Sequence, residues 1–357
     1  LKSFVRDVVK DLKPYKPNME PCKIKLDANE SPFDIPQEIK QRIWERVKKE
    51  KFNFYYDPNC TELRELLSKY TNINLENIFV GSGADEIICD IVFAFAGPGR
   101  DVIIPVPAFE SYEVYSTISG ANIIKIPLLP KDSLTPWELD VEKIQSCFRQ
   151  DKPQLLFITY PNNPTGNYFG EERILELIDN FNGIVVVDEA YYEFGGKTFA
   201  DRLVEYPHII VIRTFSKAFS MASARVGYAL GHEDVIKQLY KVKLPYNVSL
   251  FSQIACIEIL KESIGWVEEQ TNKIIESRTE LRKELDKISG MHVYPSYTNF
   301  LLADFEKSRD IVYEELLKRG ILTKRFYGFG LDTTLRFAVG SPEQNKILIN
   351  AFKEIMG

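Results

Sequence analysis

The chain reads as short apolar, β-branched runs separated by longer stretches in which apolar positions recur with helical spacing. Runs at 78–81, 101–105, 122–127, 155–159, 184–188, 209–214 and 226–231 predict strands. Helical patterns fall between most of them, for example at 84–96 and 171–180. Ile184-Val185-Val186-Val187 is apolar at every position, as befits a strand buried between two helix layers. The alternation predicts an α/β fold whose large domain has a mostly parallel, seven-stranded sheet between helices.

The pattern changes near Ser249. A long helical stretch, interrupted at Ser263-Ile264-Gly265, runs on to Ser289. Short strands at 292–294, 299–304 and 335–339 then alternate with helices at 308–319 and 341–356, which predicts a smaller α+β domain. The stretch 14–36 is rich in proline and lacks periodicity, so it is expected to wrap over the surface or to join the second domain. The expected division is 1–30 as an N-terminal segment packing with the small domain or over the active site, 31–245 as the large domain and 246–357 as the small one.

Composition narrows the function classes. Apolar residues make up 45% and charged residues 27%, the balance of an ordinary soluble globular protein. A net charge of −6 with no block of like charge argues against nucleic acid or an anionic membrane as the main partner. The short basic string Lys48, Lys49, Lys51 reads as the solvated end of a helix. Apolar stretches such as 88–96 are too short to span a bilayer, and the first residues lack the apolar core of a secretory signal. Five scattered cysteines and three histidines without ligand spacing predict no disulfide framework and no metal site, and a reducing cytoplasm is the expected location.

In open α/β sheets, ligands collect at the carboxyl ends of the strands, so the residues after each predicted strand form a site list. After 78–80 comes Gly81-Ser82-Gly83-Ala84-Asp85-Glu86, a glycine turn opening a helix; it is either a tight turn or a cradle of free N–H groups for a phosphate. After 155–159 comes Asn162-Asn163-Pro164-Thr165-Gly166, readable as a capped proline turn. Asp188-Glu189-Ala190-Tyr191 ends the apolar run 184–187. A carboxylate there is expensive to bury without a cationic partner, whether a structural salt bridge or a ligand. Thr214-Phe215-Ser216-Lys217-Ala218-Phe219 follows 209–213, with Arg225 beyond it.

These fragments, in this order, resemble the signature of fold-type-I, pyridoxal 5′-phosphate (PLP)-dependent aminotransferases. More narrowly, the chain is similar to the histidinol-phosphate group of that family. The further matching pieces are Leu26-Asp27-Ala28-Asn29-Glu30-Ser31-Pro32, the Tyr55-Tyr56-Asp57-Pro58 segment and Leu335-Arg336-Phe337-Ala338-Val339-Gly340. The resemblance covers essentially the whole chain.

The resemblance implies roles. Lys217 is expected to hold PLP covalently and to shuttle the proton during transfer, and Asp188 to face the pyridine nitrogen. Tyr191 and Asn163 are expected at the ring's O3′, and Phe109 stacked on the ring. Ala84, Asp85, Ser216 and Arg225 are expected at the cofactor's phosphate, Arg225 through the fork of its guanidinium. Tyr55 is expected to reach the phosphate held by a neighbouring subunit, which implies a homodimer with shared active sites.

Arg336 is expected to take the phosphate of histidinol phosphate in one half-reaction and a carboxylate of glutamate in the other, with Tyr15 and Asn29 near that pocket. Where the family carries a second phosphate-binding arginine, this chain has Lys324 followed by Arg325; either fills the role on sequence grounds, but lysine offers a point charge and no fork. The implied reaction exchanges an amino group between L-histidinol phosphate and 2-oxoglutarate, a step of histidine biosynthesis. An aromatic amino acid aminotransferase and a threonine-phosphate decarboxylase on the same scaffold are the alternatives.

Overall fold

The computed structural model describes residues 4–152 and 154–357. Leu1 to Ser3, the start of the expected N-terminal segment, lie outside the described residues. A two-residue strand, β1 (Ile24–Lys25), comes first. The large sheet follows with β2 (Ile78–Gly81), β3 (Asp101–Val106), β4 (Asn122–Pro127), β5 (Gln154–Thr159), β6 (Gly183–Asp188), β7 (Ile209–Thr214) and β8 (Gly227–Gly231). Its order is β2-β8-β7-β6-β5-β3-β4. β8 runs antiparallel to both its neighbours, and the remaining pairs are parallel.

Side chains alternate across a strand, so an all-apolar strand must serve two cores. Leu156, Ile158, Val185, Val187 and Val211 enter one apolar cluster, and Leu155, Phe157, Val186, Ile210 and Ile212 enter the other. Helix Gly83–Phe95 covers the second face through Ile87, Ile88, Ile91 and Val92. Helix Glu171–Asn180 covers the first through Ile174, Leu177 and Ile178. Every residue of β3, β5 and β7 is buried, which accounts for the uninterrupted apolar runs seen in the sequence.

After helices Leu250–Glu262 and Ile264–Leu285, which break at Ser263, come β9 (Met291–Val293), β10 (Phe300–Phe305), β11 (Ile321–Leu322), β12 (Lys324–Arg325) and β13 (Thr334–Ala338). β12, β13, β10 and β9 form an antiparallel sheet in that order, with its own apolar cluster. The proline-rich stretch joins this part of the chain: β1 pairs in parallel with β11, and Ala338 donates its N–H to the Leu26 carbonyl at 2.8 Å. Helix Gln37–Val47 ends at Lys48, which leaves Lys48, Lys49 and Lys51 exposed at its end. Among the described residues no helix is long and apolar enough to cross a membrane, and no cluster of potential metal ligands occurs.

Candidate active site

A cavity of about 220 Å³ opens where the carboxyl ends of β5, β6 and β7 meet the β1 segment and β13. Of the residues singled out above, Tyr15, Asn29, Ala84, Asp85, Phe109, Asn163, Asp188, Tyr191, Ser216, Lys217, Arg225, Lys324 and Arg336 all line it. Tyr55 and Arg325 do not. Parallel strands aim their last residues at one edge, so positions far apart in sequence converge there.

Asp188, the last residue of β6, is 3% exposed. It accepts hydrogen bonds from the Tyr112 hydroxyl at 2.6 Å and the Ala190 N–H at 3.0 Å. Burial pushes its carboxyl up to about 6, against the pull of those two donors. Across the cavity the Lys217 amine donates to the Ala28 carbonyl at 3.0 Å and lies 6.0 Å from the centre of the Tyr191 ring. Burial, reinforced by the positive charge of Arg336, lowers this amine to about 8. A lysine so depressed supplies neutral amine near neutral pH, the form that attacks a carbonyl or accepts a proton. The Tyr191 hydroxyl accepts from the Asn29 amide at 2.9 Å, and burial raises its pKa.

Gly83 begins the helix after β2 with φ +77°, a backbone conformation that glycine adopts freely. A Cβ there would meet the Arg225 guanidinium at 2.6 Å, so the glycine turn and the arginine share one small space. Arg225 ion-pairs with Asp85 at 2.9 Å and lies 3.4 Å from the Ser216 hydroxyl. Free N–H groups at the helix start, a guanidinium and a hydroxyl together suit a phosphate. Asn29 and Arg225, which both line the cavity, have φ above +50°, and strained non-glycine positions of this kind occur at functional sites.

Arg336 is buried; its guanidinium donates to Asn163 Oδ1 at 2.5 Å and to the Asp27 carbonyl at 2.7 Å, and its Nε has no partner. Burial lowers its pKa, against the opposing pull of Tyr191, Asp27 and Glu110. Lys324 stands directly opposite Arg336 in the β12–β13 pair. Adjacent strand residues face opposite ways, and Arg325 therefore leaves the cavity: it pairs with Asp310 at 3.3 Å and Glu314 at 3.5 Å and lies over the Tyr313 ring. The choice between the two cations left open by the sequence falls to Lys324 as the one that reaches the cavity.

Phe109 lines the cavity edge-on to Tyr112, with ring centres 5.8 Å apart. Tyr55 is 81% exposed and stacks on Tyr246 at 4.2 Å, away from the cavity of its own chain. Tyr112 is not among the residues that the sequence pattern singles out. Its hydroxyl, buried between Asp188 and Thr159, turns out to hold the key carboxylate. The available signal was position: Tyr112 follows the carboxyl end of β3, as Asn163 follows that of β5. Glu110, Asn18 and Phe326 also line the cavity and were not anticipated.

The donor set fits PLP on structural grounds. A buried carboxylate without a cation suits a pyridinium nitrogen, a depressed lysine suits an aldehyde, and the Gly83–Arg225 space suits a phosphate.

Comparison with known proteins agrees with this fit. The family model described as aminotransferase class I and II matches residues 21–352. A histidinol-phosphate aminotransferase of Caldanaerobacter subterraneus subsp. tengcongensis is 43% identical over 357 residues, covering 100% of this chain and 99% of the relative. One from Aquifex aeolicus is 37% identical over 97% of this chain and 96% of its own. The crystal structure of histidinol-phosphate aminotransferase from Sinorhizobium meliloti in complex with pyridoxal-5′-phosphate superposes with a TM-score of 0.88 at 23% identity, covering 99% of this chain and 98% of that one.

Proposed function

The chain belongs to the class I and II aminotransferase family, and we propose that it moves an amino group between L-histidinol phosphate and 2-oxoglutarate, giving imidazole-acetol phosphate and L-glutamate. The observation that carries the amino-transfer reading is the half-buried Lys217 amine, lowered to about 8, in one cavity with the buried Asp188. The full-length identity to histidinol-phosphate aminotransferases supports the substrate. So does the cross-strand pairing of Lys324 with Arg336, two cations that demand an anion between them.

Bound PLP supplies the electron sink that lets a bond at the amine's α-carbon break. The chain's own residues do the rest. Lys217 would hold the cofactor through Nζ and, when free of it, would take the proton from the α-carbon. Asp188 holds a proton on the pyridine nitrogen, and Tyr112 keeps that carboxylate in place. Tyr191 and Asn163 would hold the ring's hydroxyl, and Phe109 would stack on the ring. Ala84, Asp85, Ser216 and Arg225 hold the cofactor's phosphate. Arg336 and Lys324 bind the substrate phosphate in one half-reaction and a glutamate carboxylate in the other, with Tyr15 and Asn29 closing the pocket; Arg325 contributes at most through its effect on β12.

We take 31–245 as the PLP-binding domain and 246–357 as the small one. We take the active protein to be a homodimer. Phe52, Phe54, Tyr55 and Phe251 are exposed together, with Phe52 and Phe251 stacked at 5.5 Å, an aromatic patch suited to a second copy. Sedimentation equilibrium tests the dimer.

The function is tested by incubating PLP-loaded protein with histidinol phosphate and 2-oxoglutarate and measuring glutamate. Glutamate release, faster than from phenylalanine as donor, supports the proposal. Faster turnover of phenylalanine favours an aromatic aminotransferase instead, and carbon dioxide release from threonine phosphate without 2-oxoglutarate favours the decarboxylase.

A further inference from the structure

Among the described residues five arginines are buried: Arg64, Arg213, Arg278, Arg309 and Arg336. A buried guanidinium needs compensation, from a carboxylate or from several carbonyl acceptors. Arg213 has Glu189 at 2.9 Å, and Arg309 has Asp310 at 3.0 Å. Arg64 donates to two carbonyls, of Ile78 at 3.0 Å and Leu75 at 2.6 Å. Arg336 forms no ion pair among the described residues and faces the active-site cavity, where the substrate anion is proposed to complete it.

Arg278 shares this last condition. It is 9% exposed, makes one hydrogen bond, to the Thr298 carbonyl at 2.6 Å, and has no carboxylate in ion-pair contact among the described residues. Burial lowers its pKa, with only the Tyr168 and Tyr297 side chains opposing. It lines a separate cavity of about 420 Å³ together with Thr279, Arg282, Lys283, Asp286 and Ser296. The charged lining is three cations against one acid. Asp286 is engaged with Arg282, whose Nε stands 3.6 Å from it and has no hydrogen-bond partner. Successive turns of helix Ile264–Leu285 place Arg278 and Arg282 on one face, converging on the same space.

We infer that this cavity is a second anion site, distinct from the active site, which binds a small oxyanion of the phosphate class between Arg278, Arg282 and Lys283. Two guanidinium forks and an ammonium match a tetrahedral dianion better than a monovalent ion. Ser296 on the wall packs under Gly166, where an added Cβ would meet Ser296 Oγ at 2.8 Å, so the site backs onto the Asn163–Gly166 turn without opening into the active site.

The test is equilibrium dialysis of PLP-loaded protein with labelled inorganic phosphate, in the presence of saturating glutamate. One phosphate per chain is expected to remain bound. Arg282→Ala combined with Lys283→Ala, both at partly exposed positions, is expected to weaken it roughly tenfold or more. Asp286→Asn, which removes the competing acid, is expected to tighten it, a gain that loss of folding does not imitate. If glutamate does not keep phosphate from the active site, a second phosphate appears there but is unaffected by these changes, so the two sites remain distinguishable. No phosphate outside the active site, or one whose affinity is the same in all three proteins, overturns the inference.

Discussion

Lys324 and Arg336 stand directly opposite each other on antiparallel strands, both aimed into the cavity that holds Lys217. Like charges so placed repel, and the pairing is favourable only when an anion lies between them. Lys324→Arg, which supplies a second fork, is therefore expected to lower KM for histidinol phosphate, while Lys324→Ala raises it about tenfold or more. Arg325→Ala, on the opposite face, is expected to change KM little. Steady-state kinetics of the three variants checks the assignment.

Arg336→Ala removes the buried fork and leaves Asn163 Oδ1 and the Asp27 carbonyl without their donor. Loss of a charge-assisted pair of about 3–5 kcal/mol corresponds to a fall of roughly two to four orders of magnitude in kcat/KM for both histidinol phosphate and glutamate. Because the two half-reactions share this residue, a loss confined to one donor would contradict the shared role.

The Tyr112 hydroxyl donates to Asp188 at 2.6 Å from a fully buried position. Tyr112→Phe deletes a hydrogen bond to a charged group, about 1.5–3 kcal/mol, and is expected to weaken PLP binding and lower kcat by roughly one order of magnitude or more. A fluorescence titration with PLP reads the first, and turnover at saturating cofactor the second. Tyr112 acts through Asp188, so histidinol phosphate KM is expected to move much less than kcat.

Asp188 carries a stability cost in the ligand-free chain. Its carboxyl is raised to about 6 from 3.8 by burial, so the folded form binds the proton more tightly than the unfolded form. Its contribution is most favourable below about 4 and is lost as pH climbs to about 6, leaving a deficit of about 3 kcal/mol at neutral pH. Asp188→Asn is thus expected to raise the melting temperature of PLP-free protein at pH 7 while abolishing amino transfer. Melting curves at pH 4 and pH 7 check it: the gain appears at the higher pH.

Neutral Lys217 amine is populated above about 8. The rate of PLP uptake by ligand-free protein is expected to climb as pH approaches 8 and to level off beyond it. Arg336→Met removes the like charge that assists the depression, and its inflection is expected at higher pH. Stopped-flow absorbance provides both profiles.

Much of this was legible in the chain itself, for physical reasons. Strands such as β6 are buried on both faces, and Ile184-Val185-Val186-Val187 announces that without any partner being known. The break at Ser263 was equally visible, because Ser-Ile-Gly interrupts a long helical pattern. β1 was not: two residues make a strand only because Ile321 and Leu322 lie beside them, and no local pattern records that.

The site divides the same way. Lys217, Asp188 and Arg225 lie at strand ends or in the turns beyond them, where the topology collects ligands, so motif order located them. Lys324 and Arg325 are neighbours of equal charge, and only the register of β12 against β13 sends one into the cavity and the other to Asp310. The contact of Tyr112 with Asp188 joins a helix after β3 to the end of β6, and pairwise contacts of that kind leave no trace in spacing. The uncompensated Arg278 is invisible for a related reason: an arginine in a helix looks solvated until the fold buries it.

The central claim is that Lys217 carries the cofactor. PLP-loaded protein reduced with borohydride, digested and analysed by mass spectrometry tests it directly. A pyridoxyl group on the peptide containing Lys217, one per chain, is the expected result. An unmodified Lys217 peptide, or the label on another lysine, would contradict the account.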